Sequence, residues 1–152
     1  MKPRTILVVE DGTEYVDAFR GLASTGDPSV VWLHASDAAA ARRILAEREV
    51  DAVFLDVVFD RTPPEALAGD LEGLVRRFGG DRKRALEHLA ANQGFYVAAE
   101  LAGAIPRDAR ILIAFDFTSD PERLSVLRES LPGLDGVEEG APATKLLRRL
   151  LE

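Results

Sequence analysis

The 152-residue chain, 47% hydrophobic and 30% charged, has the size and composition of one folded domain with a full core. Its formal net charge of −7 and pI near 4.9 argue against a nucleic-acid-binding surface, which needs clustered cations along phosphates. The lack of cysteine removes thiol catalysis, disulfides and thiolate metal sites, and no apolar run approaches the roughly 20 residues of a membrane span, so a cytoplasmic protein is expected.

Strand-length apolar runs alternate with longer segments at helical spacing, the pattern of an α/β domain with a mostly parallel sheet. The first strand is read at Thr5 to Val9. A helix at about Thr13 to Ala23 puts Tyr15, Val16, Phe19 and Leu22 on one side, and the GDPS turn at Gly26 to Ser29 follows. The second strand spans Val30 to His34, and Ser36 is the expected N-cap of an alanine-rich helix running to Glu49. Strand three is a nearly continuous apolar run from Ala52 to Phe59, interrupted only by Asp56.

More chain separates this strand from the next than one crossover needs. Thr62-Pro-Pro-Glu65 has the form of a capping box with proline in the first turn, followed by Leu67, Leu71, Leu74, Val75 and Phe78 at helical spacing. Gly79-Gly80 stops that helix, and Asp81 caps a second one that holds Leu86 and Leu89. Asn92-Gln93-Gly94 breaks the chain before a third helix at Phe95 to Ala104. A fourth strand is expected at Ala109 to Phe115, a helix from Pro121, a short fifth strand at Leu134 to Glu138, and a final helix over Lys145 to Glu152. The basic cluster Arg76, Arg77, Arg82, Lys83 and Arg84 reads first as a solvated helix face, and alternatively as a surface for an acidic partner.

Open parallel sheets bind ligands beyond the carboxyl ends of their strands. Glu10 and Asp11 end the first strand and Asp56 lies toward the end of the third, so three carboxylates converge if these strands are neighbours. Their repulsion calls for a cation or a proton. Oxygen donors without cysteine, and with His34 and His88 far apart, favour a hard cation such as Mg²⁺ over zinc. Taken singly, Glu10 or Asp11 serves equally well as a cap for the following helix.

VVEDG followed by DAVFLDVVF resembles the receiver domain of two-component response regulators. The resemblance covers Thr5 to Asp60 and resumes at GFYVAAELAGAIPRDARILIAF, leaving residues 61–93 as a helical insert within a single domain over 1–152. It implies a flavodoxin-like, doubly wound, five-stranded parallel sheet of order 2-1-3-4-5, with an extra helical pair between strand three and its helix. It also implies that Asp56 accepts a phosphoryl group. Mg²⁺ would then be held by Asp11, by Glu10 directly or through water, by Asp56 and by the backbone carbonyl of Val58. The implied partners are a histidine kinase or phosphotransfer protein and a downstream protein, with no turnover chemistry beyond the domain's own phosphorylation and dephosphorylation. The insert is placed to cover the site, dock a partner or form a homodimer.

The family also places a hydroxyl after strand four. Counting forward puts Ala114, Phe115 or Asp116 there, whereas counting back from Gly133 favours Thr118, which is chosen here. The family's lysine after strand five is missing: Gly140 or Ala141 takes its place, with Pro142 following and Lys145 several residues on, and Arg61 or another insert residue is left as the candidate to replace it in space. Val137 stands where the family often has an aromatic residue. A phosphorylation-independent pseudo-receiver is therefore the alternative. A dehalogenase-type hydrolase fails on Val58, where its second acid belongs, and no Walker or GxGxxG motif supports nucleotide binding.

Overall fold

The computed structural model describes residues 2–23 and 29–152, so of the expected GDPS turn only Ser29 is included. Strands β1 (Arg4–Val9), β2 (Val30–Ala35), β3 (Ala52–Leu55), β4 (Arg110–Ile113) and β5 (Leu134–Gly136) form one parallel sheet of order β2-β1-β3-β4-β5. Helices α1 (Glu14–Ala23) and α7 (Ala143–Leu151) cover one face, while α2 (Ala38–Glu47) and α5 (Gln93–Leu101) cover the other. This is the doubly wound, flavodoxin-like arrangement. Between β3 and α5 lie α3 (Leu71–Arg77) and α4 (Arg82–Ala91), and α6 (Pro121–Ser130) joins β4 to β5. No helix among the described residues is long and apolar enough to cross a membrane.

Strand alternation divides the core. Leu7, Val9, Val53, Leu55, Ile111 and Ile113 point to the α2–α5 side. Ile6, Val8, Ala52, Phe54, Leu112 and Ala114 point to the α1–α7 side. Because both faces are covered, a slip of one residue in register would exchange these two sets. Leu74, Ala85 and Leu89 of α3 and α4 form a smaller cluster that leans on Tyr96 of α5.

Several element ends differ from the sequence expectations. Asp37, not Ser36, caps α2: its extended backbone lets the carboxylate accept the Ala40 N–H at 2.8 Å. β3 ends at Leu55 rather than Phe59, because the next residues give their backbone bonds to helices. Gly94 N–H donates to Val57 O at 3.0 Å, and Phe59 N–H donates to Ala90 O at 2.8 Å. The Thr62 capping box does not form. Pro64–Ala66 make a single 3₁₀ turn with no side-chain cap, and the Thr62 hydroxyl is buried without a partner. Gly69, at φ 111°, then breaks the chain, and Asp70 caps α3 through the Gly73 N–H at 3.0 Å. Asp81 caps α4 as expected, accepting the Arg84 N–H at 3.1 Å. The break before α5 is one residue, Asn92, and Gln93 and Gly94 lie inside that helix.

Gln93 is 1% exposed and its amide is fully engaged. Its Oε1 accepts the Ala68 N–H at 2.6 Å, and its Nε2 donates to Ala68 O at 3.0 Å and to Leu89 O at 3.3 Å. This clasp fixes the entry to α3. Replacing the amide by an isosteric apolar chain strands a buried N–H and a buried carbonyl, so Gln93→Leu should lower unfolding stability by about 2–4 kcal/mol in urea titration. Gln93→Glu should be no milder, since it buries a charge beside the Ala68 carbonyl.

Candidate functional site

Parallel register sets the site. Val9, Leu55 and Ile113 lie in line across β1, β3 and β4, and the ladder runs one residue further. Asp56 N–H donates to Val9 O at 3.0 Å, Ala114 N–H to Leu55 O at 3.0 Å, and Val137 N–H to Ile113 O at 3.0 Å. The residues at the mouth are therefore Glu10, Asp56, Ala114 and Val137, in that order across the sheet.

Each acid has its own means of support. Glu10 is 1% exposed, and its two carboxylate oxygens accept the Tyr15 and Val16 N–H groups at 3.0 and 2.9 Å, so it closes the amino end of α1. Burial still pushes its carboxyl above the ordinary value, against the opposing pull of those amides and of His34. His34, at the end of β2, donates from Nε2 to Gly12 O at 2.7 Å and holds the turn between β1 and α1. Asp11 accepts the Arg61 backbone N–H at 2.8 Å and lies 3.9 Å from the Arg61 guanidinium, which itself sits 2.7 Å from Glu14.

Asp56 is half-buried and uses Oδ1 to accept the Val57 N–H at 2.9 Å. Its carboxyl is pushed up to about 6, chiefly by burial and then by the negative charges of Glu10, Asp11 and Glu139, while the Val57 amide pulls the other way. Burial, followed by Asp56, Glu10 and Glu139, also raises the Tyr15 phenol. Val58 follows in the loop with its side chain 42% exposed. Gly94 backs this loop so closely that a Cβ there would lie 2.3 Å from the Asp56 carbonyl oxygen.

Glu10, Asp11 and Asp56 thus lie at one end of the sheet, near enough for the charges of Glu10 and Asp11 to raise the Asp56 carboxyl. Thr118 is held elsewhere: in the 3₁₀ turn Phe117–Ser119, its hydroxyl bonds to Asp116, and its amide does so at 2.9 Å. It lines a cleft of about 380 Å³ with Pro121, Leu124, Val137 and Glu138 that includes none of the three acids. Ala114, one of the three residues of the forward count, is the residue beside Asp56 in register. Gly140 turns the chain at φ 82°, and Lys145 pairs with Glu138. Arg61 spends its charge on Glu14, Asp11 and Asp60.

Glu139 is the residue that sequence reading passed over. It follows β5 in an acidic pair, the same signal that marks Glu10 and Asp11 after β1. It stands one residue before Gly140 and adds its negative charge to the surroundings of Asp56.

Among the described residues, no three acidic or histidine side chains converge at metal-ligand distance. Glu10 is occupied by α1 and Asp11 by Arg61. The donor chemistry nevertheless suits a hard divalent cation: every candidate is oxygen, the local charge is strongly negative, and one Asp56 oxygen is uncommitted.

No family model matches the sequence, and no curated protein matches it. Solved structures of similar fold include response regulators and receiver domains. A response regulator from Burkholderia pseudomallei, described with a phosphorylated aspartic acid, calcium ion and citrate, is 17% identical with a TM-score of 0.57, over 97% of this chain and 66% of that one. A two-component response regulator from Clostridium difficile is 12% identical with a TM-score of 0.57, over 97% and 92% of the two chains. The receiver domain of a signal transduction histidine kinase from Syntrophus aciditrophicus is 20% identical with a TM-score of 0.54, over 97% and 89%. The chain has the receiver fold.

The charge crowding has a measurable consequence. The unfolded carboxyl loses its proton near 3.8, whereas folded Asp56 keeps it to about 6. The cost of ionising Asp56 is therefore absent below the first value, grows between the two and is complete above the second. After allowance for partial exposure to solvent, Asp56→Asn should stabilise the fold by about 1–2 kcal/mol above pH 6 and by much less near pH 4. Urea titrations across this range test it, and parallel curves for the two proteins would refute the charge assignment.

Proposed function

We propose that this receiver-fold chain is a signalling module of the response-regulator kind, acting through protein–protein contacts, with Asp56 as its phosphoacceptor. The observation that carries this reading is the position of Asp56: first residue after the central strand, beside Glu10 and Asp11, with one carboxylate oxygen uncommitted. That oxygen would attack the phosphorus of a donor such as a histidine kinase or phosphotransfer protein. A P–O bond forms as the donor's bond to phosphorus breaks, leaving an acyl phosphate on Asp56. The attack needs ionised Asp56, which its raised pKa makes more abundant as pH climbs past about 6.

A divalent cation, Mg²⁺ or its calcium counterpart, would be held by Asp56, Asp11, the Val58 carbonyl and Glu10 through water, and would offset phosphoryl charge. The calcium ion and phosphorylated aspartic acid of the Burkholderia response regulator support that pairing. On this chain's side, Glu10 keeps α1 seated, and Arg61 is the cation that yields when Asp11 changes partner. Thr118 would reach a phosphoryl oxygen only after its hydroxyl leaves Asp116 and its turn moves.

A phosphorylation-independent interaction module is the second reading, and a specific observation favours it. Ala114 supplies no hydroxyl beside Asp56, and Glu139 adds negative charge where a phosphoryl group gains from a cation. Beryllofluoride with Mg²⁺ separates the two. Trp32 stacks on Phe19 at 5.1 Å, and Phe19 meets Phe54 at 5.6 Å and Tyr15 at 6.2 Å, so its fluorescence reports on the acidic end. The phosphoacceptor reading expects a Mg²⁺-dependent fluorescence change and a bound-fluoride NMR signal, both lost in Asp56→Ala. Their absence from the unaltered protein would leave the phosphorylation-independent reading. If the complex forms, Glu139→Gln should tighten it about fivefold by removing one nearby like charge.

A further inference from the structure

The strongest positive feature of this acidic chain lies away from the site, at the turn between α3 and α4. Residues 76–84 hold five cations and one acid in a chain of net charge −7. Gly79 and Gly80, at φ 65° and 89°, reverse the chain there, so the last turn of α3 and the first turn of α4 display their side chains together. All five cations are exposed.

The fold uses only part of this charge. Arg82 pairs with Glu72 at 3.0 Å, and Arg84 lies over the Phe78 ring at 5.0 Å. Asp81 is committed to capping α4. Among the described residues, the side chains of Arg76, Arg77 and Lys83 have no hydrogen-bond, ion-pair or ring partner. Arg82, Lys83 and Arg84 also occupy the first turn of α4, which holds no acid inside the Asp81 cap, and the helix dipole disfavours positive charge there. Stability alone would select acids at these positions. A local rule broken without a return inside the fold points to an external use.

We infer that the α3–α4 tip is a docking surface for a compact acidic segment of a partner protein. The cluster is short, its neighbours along the chain include Asp70, Glu72 and Glu87, and the rest of the chain carries the acidic surplus. A duplex or an anionic bilayer would extend its charge onto that repelling surround, whereas a short run of Asp and Glu would not. Half-buried Phe78, beneath Arg84 and 5.5 Å from the His88 ring, gives the patch an aromatic centre among arginines, a composition enriched at protein interfaces. The inference rests on the signalling reading in one respect, that the partner is a protein.

The test titrates fluorescein-labelled decaglutamate with the full chain and follows anisotropy. Binding at low salt should weaken about tenfold on moving to physiological ionic strength. It should disappear in Arg76→Gln/Arg77→Gln/Lys83→Gln and fall several-fold in Lys83→Gln alone, with the thermal midpoint unchanged or raised. Asp56→Ala should bind decaglutamate fully, so failure at the patch and failure at the phosphoacceptor are read independently. The proposal is overturned by no binding, by equal binding of the triple variant, or by a lowered midpoint in that variant, which would return these cations to the fold. Tighter binding of duplex DNA or phosphatidylserine vesicles than of decaglutamate would overturn it as well.

Discussion

Like charge crowded at the carboxyl end of a parallel sheet is the constraint around which this molecule is arranged. The register that aligns Val9 with Leu55 brings Glu10 and Asp56 to the same edge, and the loop after β5 adds Glu139. Each carboxylate then needs an answer. Glu10 receives two helix amides, Asp11 receives Arg61, and Asp56 receives one amide and keeps its proton to about 6. That repulsion weakens the fold, and a cation bound there would relieve it.

The centre of the fold was legible in the sequence because strands covered on both faces must be apolar throughout. Ile6 to Val9, Val53 to Leu55 and Ile111 to Ile113 have few other destinations. Their ends were less legible, since a strand stops where its backbone finds another partner. Val57 and Phe59 are as apolar as a strand requires, yet Gly94 and Ala90 take their backbone groups. Likewise Thr62 has the spacing of a cap, but Gly69 and Gln93 move the helix start to Asp70. Such decisions depend on residues distant in sequence.

The acidic site followed the same pattern. Glu10, Asp11 and Asp56 stood out because acids at strand ends are conspicuous. Glu139 escaped because the search there was for a lysine, and β5 is only Leu134–Gly136, too short to give its end a clear signature. The forward count left Ala114, Phe115 and Asp116 open, and only the Leu55–Ile113 register shows that Ala114 is the one beside Asp56.

The loop that carries Asp56 is anchored to α4 and α5 through main-chain atoms: Phe59 to Ala90, Val57 to Gly94, and the Asp56 carbonyl against the Gly94 Cα. Contacts of this kind do not depend on side-chain identity, provided position 94 remains glycine. The outer face of α4 can therefore carry different side chains without altering its main-chain attachment to the acidic end. One invariant glycine would be enough to let a single scaffold serve many recognition surfaces.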